Sequence, residues 1–274
     1  MDVCRNGVAR AVGTSPCDQA VFDLAPRPVD CYVRGGVSRR TEQVLYLYGC
    51  PVRPGGVCGR NHLGVERGRV MDDSQHEAAT IYDDGVAMFD EGRWGEAVTA
   101  FAQVIEIEPS DTELLALAYV IRSTALSRLE RVEEAVADAT AAIDLQPDDI
   151  DILGQAYLNR SIAVSRLERV EEAVADATAA IDLQPSSDIL AAAYVSRSVD
   201  LILLDRVEEA VADVTAAIDL QPDDIDILAQ AYVNRSIALS TMERTDEAVA
   251  DLRMVLDLVP PTHELNRQAL ALLA

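Results

Sequence analysis

The chain has 274 residues, 23 arginines and no lysine, 47 acidic residues and a formal net charge of −24 at pH 7. This acidity argues against nucleic acid or an anionic membrane as the partner, since both need basic surface, and it favours basic partners. We find no signal-peptide pattern and no run of about 18 apolar residues, so we predict no membrane span and a cytoplasmic location.

The N-terminal segment, residues 1–70, differs in composition from the rest. It holds ten of the 14 glycines, all five cysteines, and ten arginines against six acids, whereas residues 71–274 hold 13 arginines against 41 acids, a formal charge of −28. Hydrophobic periodicity is weak over residues 1–70. We therefore expect either a disordered leader or an upstream extension outside the translated protein, with Met71 as the initiator.

The remainder, residues 71–274, is repetitive. The stretch SRLERVEEAVADATAAIDLQP occurs identically at Ser127–Pro147 and Ser165–Pro185, and returns at Asp205–Pro222 with Val214 as the one change in the shared core. The arginine that opens the second half of each unit recurs with a period of about 38 residues, which indicates stacked repeats. The predicted units are about 75–109, 110–147, 148–185, 186–222 and 223–260, followed by a capping helix over 261–274.

Each unit is predicted to be a hairpin of two helices. Apolar residues recur at intervals of three and four in both halves, and a short Leu-Glu-Arg turn joins them. Proline ends each unit, and the following residues offer side-chain oxygens as helix caps. The predicted caps are Asp149, Asp188, Asp224 and Thr262. The fold class is therefore all-α, an α-solenoid of antiparallel helical hairpins.

These units resemble the tetratricopeptide repeat (TPR) family. In the first unit the residues that carry the resemblance are Gly85, Trp94, Ala97, Phe101 and Pro109. Later units keep the pattern but replace the glycine with serine and the second-helix aromatic with Ala139, Ala177, Val214 or Leu252. They also exceed the family's usual length of about 34 residues. The surplus follows the proline, so we expect a longer first helix or a longer loop between units. The resemblance implies a right-handed superhelix that acts as a non-enzymatic protein-interaction scaffold.

The resemblance also implies a binding face, the concave surface formed by the first helices. That face would bind a basic or apolar segment of a protein or peptide, between aliphatic and amide side chains. The alternative is that the aliphatic residues only pack neighbouring hairpins. The predicted face comprises Val120, Thr124, Gln155, Leu158, Asn159, Ile162, Val195, Val199, Gln230, Val233, Asn234 and Ile237.

An arginine recurs in the first helices, and an aspartate follows it at the same separation in the second helix of each unit. We expect these residues to form ion pairs inside each hairpin, with the arginine stem packed on apolar surface. The alternative is an arginine ladder that binds an anionic ligand or peptide, which would make the protein a sensor or regulatory module. The pairs are Arg122 with Asp138, Arg160 with Asp176, Arg197 with Asp213, and Arg235 with Asp251.

Catalytic and metal-binding patterns are weak. Cys50, Cys58 and His62 lack the close C-x2-C pair of zinc modules, and the PDDID segments lack the mid-loop glycine and distal glutamate of a calcium loop. Phosphate-binding and nucleophile-elbow motifs are missing from the sequence as well. We therefore predict no enzyme activity, no metal and no cofactor.

Overall fold

The structure is a computed structural model that describes residues 73–274, and the predicted leader, residues 1–70, lies outside the described residues. Within the described part every regular element is an α-helix, which confirms the predicted all-α class. Eleven helices follow in chain order: α1 (Asp73–Asp90), α2 (Trp94–Ile107), α3 (Thr112–Arg128), α4 (Val132–Asp144), α5 (Ile150–Arg166), α6 (Val170–Asp182), α7 (Ser187–Leu203), α8 (Val207–Asp219), α9 (Ile225–Thr241), α10 (Thr245–Leu258) and α11 (Glu264–Leu273).

The first ten helices form five hairpins, each made of one odd-numbered and one even-numbered helix. Each even-numbered helix also packs on the first helix of the next hairpin, and the successive first helices α3, α5, α7 and α9 contact one another. Helix α11 packs on α10 and α9 at the end of the array. This arrangement, in which each hairpin buries its apolar faces against its neighbours, is a solenoid.

Aspartates near the start of the first helices accept hydrogen bonds from backbone N–H groups at the connections between hairpins. Asp149 and Asp224 accept hydrogen bonds from backbone N–H groups of α5 and α9, which confirms them as predicted caps. The prediction for Asp188 is wrong: the shorter fourth unit places it inside α7, where it accepts from the backbone N–H of Asp223 at 2.8 Å. Thr262 is also not a cap, because α11 is capped by His263, whose Nδ1 accepts from the N–H of Leu265.

The longer first helix accounts for the surplus residues of each unit. Helix α5 starts three residues after Pro147, and α3, α5, α7 and α9 each contain 17 residues, against 13 in α4, α6 and α8. Each second helix ends shortly before the unit's proline, as predicted, because proline cannot continue the hydrogen-bonded ladder.

The turn inside each hairpin requires a left-handed backbone. Gly92 has φ +75° at this turn in the first hairpin, and the later hairpins place acidic residues there with φ between 60° and 62°. L-residues adopt this conformation at a cost of roughly 1–2 kcal/mol, which glycine avoids. The residues concerned are Glu130, Glu168, Asp205 and Glu243.

The contact between the two helices of a hairpin explains one departure from the family pattern. A Cβ atom added to Gly85 would lie 3.1 Å from the ring of Phe101, so a larger residue at this position would require the ring to shift. In the second hairpin the fully buried Ser123 and Ala139 take these two positions. A small second-helix residue therefore leaves room for serine in the first helix.

Candidate interaction surface

Four Arg–Asp pairs connect the two helices of the second to fifth hairpins, as the sequence predicted. In each pair Nε and Nη2 of the arginine donate to the two carboxylate oxygens of the aspartate, at donor–acceptor distances of 2.6–2.8 Å. The aspartates are buried and the arginines are about one-fifth exposed. This two-point geometry is the strongest form of ion pair available to arginine.

The same arginines contact two further groups. Each guanidinium lies over the ring of the tyrosine three residues earlier, as Arg160 does over Tyr157 at 5.5 Å from the ring centroid. Nη1 of Arg197 also donates to Oγ1 of Thr178 in the preceding hairpin at 3.0 Å. The arginines therefore stabilise both their own hairpin and, at this junction, the contact between hairpins.

Burial and hydrogen bonding both shift the pKa values of the paired groups. Hydrogen bonds to Asp138 raise the pKa of Arg122 above its ordinary value. Burial raises the pKa of Asp138, and the hydrogen bonds from Arg122 act against that rise. The aspartate is thus costly to bury alone and is held by its arginine.

Most of the predicted concave face is buried between hairpins. Of its twelve residues, nine are less than a tenth exposed, which matches the alternative in which they pack neighbouring hairpins. These nine are not available to a partner in this structure: Val120, Gln155, Leu158, Asn159, Val195, Val199, Gln230, Val233 and Asn234. Three remain partly exposed: Thr124, Ile162 and Ile237.

The buried amides tie one first helix to the preceding one. Nδ2 of Asn159 donates to the carbonyl oxygen of Val120 at 2.9 Å and to Oγ of Ser123 at 2.8 Å. Nε2 of Gln155 donates to Oδ1 of Asn159 at 2.8 Å, which fixes the orientation of the asparagine amide. Buried polar groups need such partners, so these amides contribute to packing between hairpins.

A second pair of amides, Gln230 and Asn234, repeats this arrangement two hairpins later. Nε2 of Gln230 donates to Oδ1 of Asn234, whose Nδ2 donates to the carbonyl oxygen of Val195 at 3.3 Å. The sequence analysis placed these amides on the binding face that the family resemblance implies. Their burial depends on the close approach of successive first helices, which no local pattern reports.

Helix α7 adds two accessible apolar residues that the sequence analysis did not select. Ile202 and Leu203, at the end of α7, are partly exposed. The other hairpins have Ser-Arg at this point in α3 and α5, and Ser-Thr in α9. Comparing the units position by position would have singled out this apolar pair.

One part of the array matches a known protein family. The model of the tetratricopeptide repeat family matches residues 116–149, which include most of α3 and all of α4. A search of curated protein sequences finds no match. The family match therefore covers about one repeat of the array.

Solved structures extend the likeness to most of the chain. TTC0263, a thermophilic TPR protein in Thermus thermophilus, is 21% identical, with a TM-score of 0.58 over 72% of this chain and 98% of that one. MamA from Desulfovibrio magneticus RS-1 is 18% identical, with a TM-score of 0.52 over 69% and 96%. A chain of the APC/C hetero-tetramer Cut9-Hcn1 is 16% identical, with a TM-score of 0.58 over 66% and 33%.

These likenesses define the class of protein as a solenoid of stacked helical hairpins. The repeat residues, the family match and the fold agree with one another. Over residues 116–149 the chain matches the tetratricopeptide repeat family, and its fold is that of the solved TPR structures, as the sequence resemblance implied. No helix in the described part is both long enough and apolar enough to cross a membrane.

Proposed function

We propose that this protein is a non-enzymatic scaffold that binds a segment of a partner protein on the face formed by its first helices. The observation that carries the proposal is that Thr124, Ile162 and Ile237 occupy one equivalent position in three hairpins and stay partly exposed after the array has packed. Side chains that recur at the spacing of the repeats suit an extended or helical segment lying across several hairpins.

The charge of the array supports a basic or apolar partner. Residues 71–274 carry 13 arginines and 41 acids, so an approaching basic segment is attracted over a long range, whereas nucleic acid and anionic lipid are repelled. We propose a cytoplasmic location, as the sequence analysis predicted.

We favour the scaffold over a sensor that binds anions through the arginines. In all four pairs two guanidinium N–H groups already donate to an aspartate, and the ring of a tyrosine covers one face of the guanidinium. An anion would have to displace a buried carboxylate from its arginine, which costs several kcal/mol.

The test is a selection of binding peptides from a display library with the full chain, followed by fluorescence anisotropy with the selected peptides. Ile162→Glu should weaken binding at least tenfold in a variant that remains folded. Glutamate would strengthen a purely electrostatic attraction to a basic peptide. Weaker binding by this variant would therefore indicate that the peptide makes an apolar contact with Ile162.

The matched control is Ala175→Glu, which adds the same charge at an exposed position of the second helix α6. It should leave binding unchanged. If Ile162→Glu binds as tightly as the wild type, the partner lies on another surface. If no peptide is selected, the proposed function fails.

A further inference from the structure

The fourth hairpin departs from its neighbours at one accessible point, the end of its first helix. Ile202 and Leu203 stand where α3 and α5 have Ser127-Arg128 and Ser165-Arg166. Both apolar residues are partly exposed. They lie three and four residues after Val199, so the three share one side of the helix.

The equivalent arginine in the third hairpin shows what surrounds this position. Nη1 of Arg166 donates to the carbonyl oxygen of Ser127 at 2.8 Å, and Nη2 pairs with the carboxylate of Glu130 at the turn of the preceding hairpin. Leu203, the last residue of α7 as Arg166 is of α5, therefore lies beside the turn that carries Glu168.

That turn presents a carboxylate without its expected cation. Glu130 and Glu168 have the same backbone conformation, with φ 60° and 61°. Glu130 pairs with Arg166, whereas the exposed side chain of Glu168 has no ion-pair partner among residues 73–274. The junction between the third and fourth hairpins thus combines a free negative charge with an accessible apolar pair.

We propose that this junction binds a partner segment with an aliphatic or aromatic side chain next to an arginine or lysine. The apolar side chain would pack on Ile202 and Leu203, and the cation would take the position beside Glu168 that Arg166 occupies beside Glu130. This inference rests on the proposed function and specifies the partner for one junction. Charge disfavours a second copy of this chain as the occupant, because each repeat domain carries a formal charge of −28 from its 13 arginines and 41 acids.

Another hairpin of the same chain shows which residues can replace Ile202 and Leu203. Ile202→Ser with Leu203→Thr installs the residues that α9 has at this point, Ser240 and Thr241, and adds no charge. The melting temperature should therefore change little. The probes are six labelled peptides of equal length on an alanine background, with a central Leu, Phe or Ala flanked by two arginines or two glutamates.

We expect the arginine-flanked Leu or Phe peptide to bind the full chain at least tenfold more tightly than the other peptides. The double variant should lose that preference. Glu168→Gln should keep the preference for Leu or Phe over Ala and reduce the preference for arginine over glutamate.

Unchanged binding by the double variant would overturn the junction site and leave the scaffold function standing. If none of the six peptides binds, the proposed junction site is also wrong. The library selection tests the scaffold function separately. A wild-type dimer in sedimentation that the double variant abolishes would make a second copy the occupant, contrary to the proposal.

Discussion

The pair between Arg160 and Asp176 should be strongly coupled, because both groups are largely removed from water. Arg160 is 21% exposed and Asp176 is 8% exposed, and two hydrogen bonds join them. Removing one partner leaves the other charge partly buried, which costs about 2 kcal/mol for a charged hydrogen bond. Arg160→Ala should cost more than Asp176→Ala, since it also removes the contact with Tyr157.

The double variant Arg160→Ala, Asp176→Ala should cost less than the sum of the single changes, with a coupling on the order of 1 kcal/mol. The same hairpin supplies a matched control, the pair of Arg169 and Glu172, whose side chains are 48% and 44% exposed. Its coupling should stay near or below about 0.5 kcal/mol. Urea unfolding of the two cycles measures both values.

Additive losses in the Arg160–Asp176 cycle would refute this reasoning. So would an equal coupling in the exposed pair, because burial would then not be the cause. If Arg160→Ala left stability unchanged and removed binding of an anionic peptide, the arginine ladder would be a binding site.

Three further substitutions test other parts of the structure. Glu243→Gly should stabilise the array by about 0.5 kcal/mol in urea unfolding, because glycine relieves the left-handed turn at φ 61°, and Glu243→Ala should not. Gly85→Ser should cost about 1–2 kcal/mol, and less in the Phe101→Ala background, since the added Cβ meets that ring. The hydrogen bond from Arg244 lowers the pKa of Glu247. The ion pair therefore stabilises the fold above the ordinary carboxyl pKa, and this stabilisation is lost as the pH falls through the lowered pKa. Glu247→Gln should therefore lower the melting temperature at pH 7 and match the wild type at low pH.

Each of these three expectations has a contradicting result. Equal stabilisation by glycine and alanine at the turn would show that charge, and not the backbone, limits stability there. If Gly85→Ser lowers the free energy of unfolding equally with Phe101 and with Phe101→Ala, the clash with the ring is not the cause. A glutamine variant that differs from the wild type equally at pH 7 and at low pH would exclude the ion pair as the cause.

The repeat period made most of the fold predictable. Apolar spacing and the proline after each second helix located the helices, and the constant separation within each unit identified Arg160 and Asp176 as partners because hairpin geometry is local. The caps at Asp149 and Asp224 were predictable for the same reason, since a cap depends on neighbours within three residues.

The binding face was less predictable because its exposure depends on distant packing. Asn159 donates to Val120 across 39 residues, and this contact exists only when two first helices approach closely. The sequence shows an amide between aliphatic residues, which is compatible with a ligand face or with a packed junction. Only the stacked structure shows that Leu158 is inaccessible and Ile162 is not.

The central claim, that a partner segment binds on the accessible part of the first helices, can be measured by isoleucine methyl NMR of the full chain with a selected peptide. We predict that the methyl signals of Ile162, Ile202 and Ile237 shift on titration, while those of Ile150 and Ile225, which are 48% and 52% exposed at the starts of α5 and α9, stay in place. Shifts confined to Ile150 and Ile225, with the other three unchanged, would contradict the claim and place the partner on the connections between hairpins.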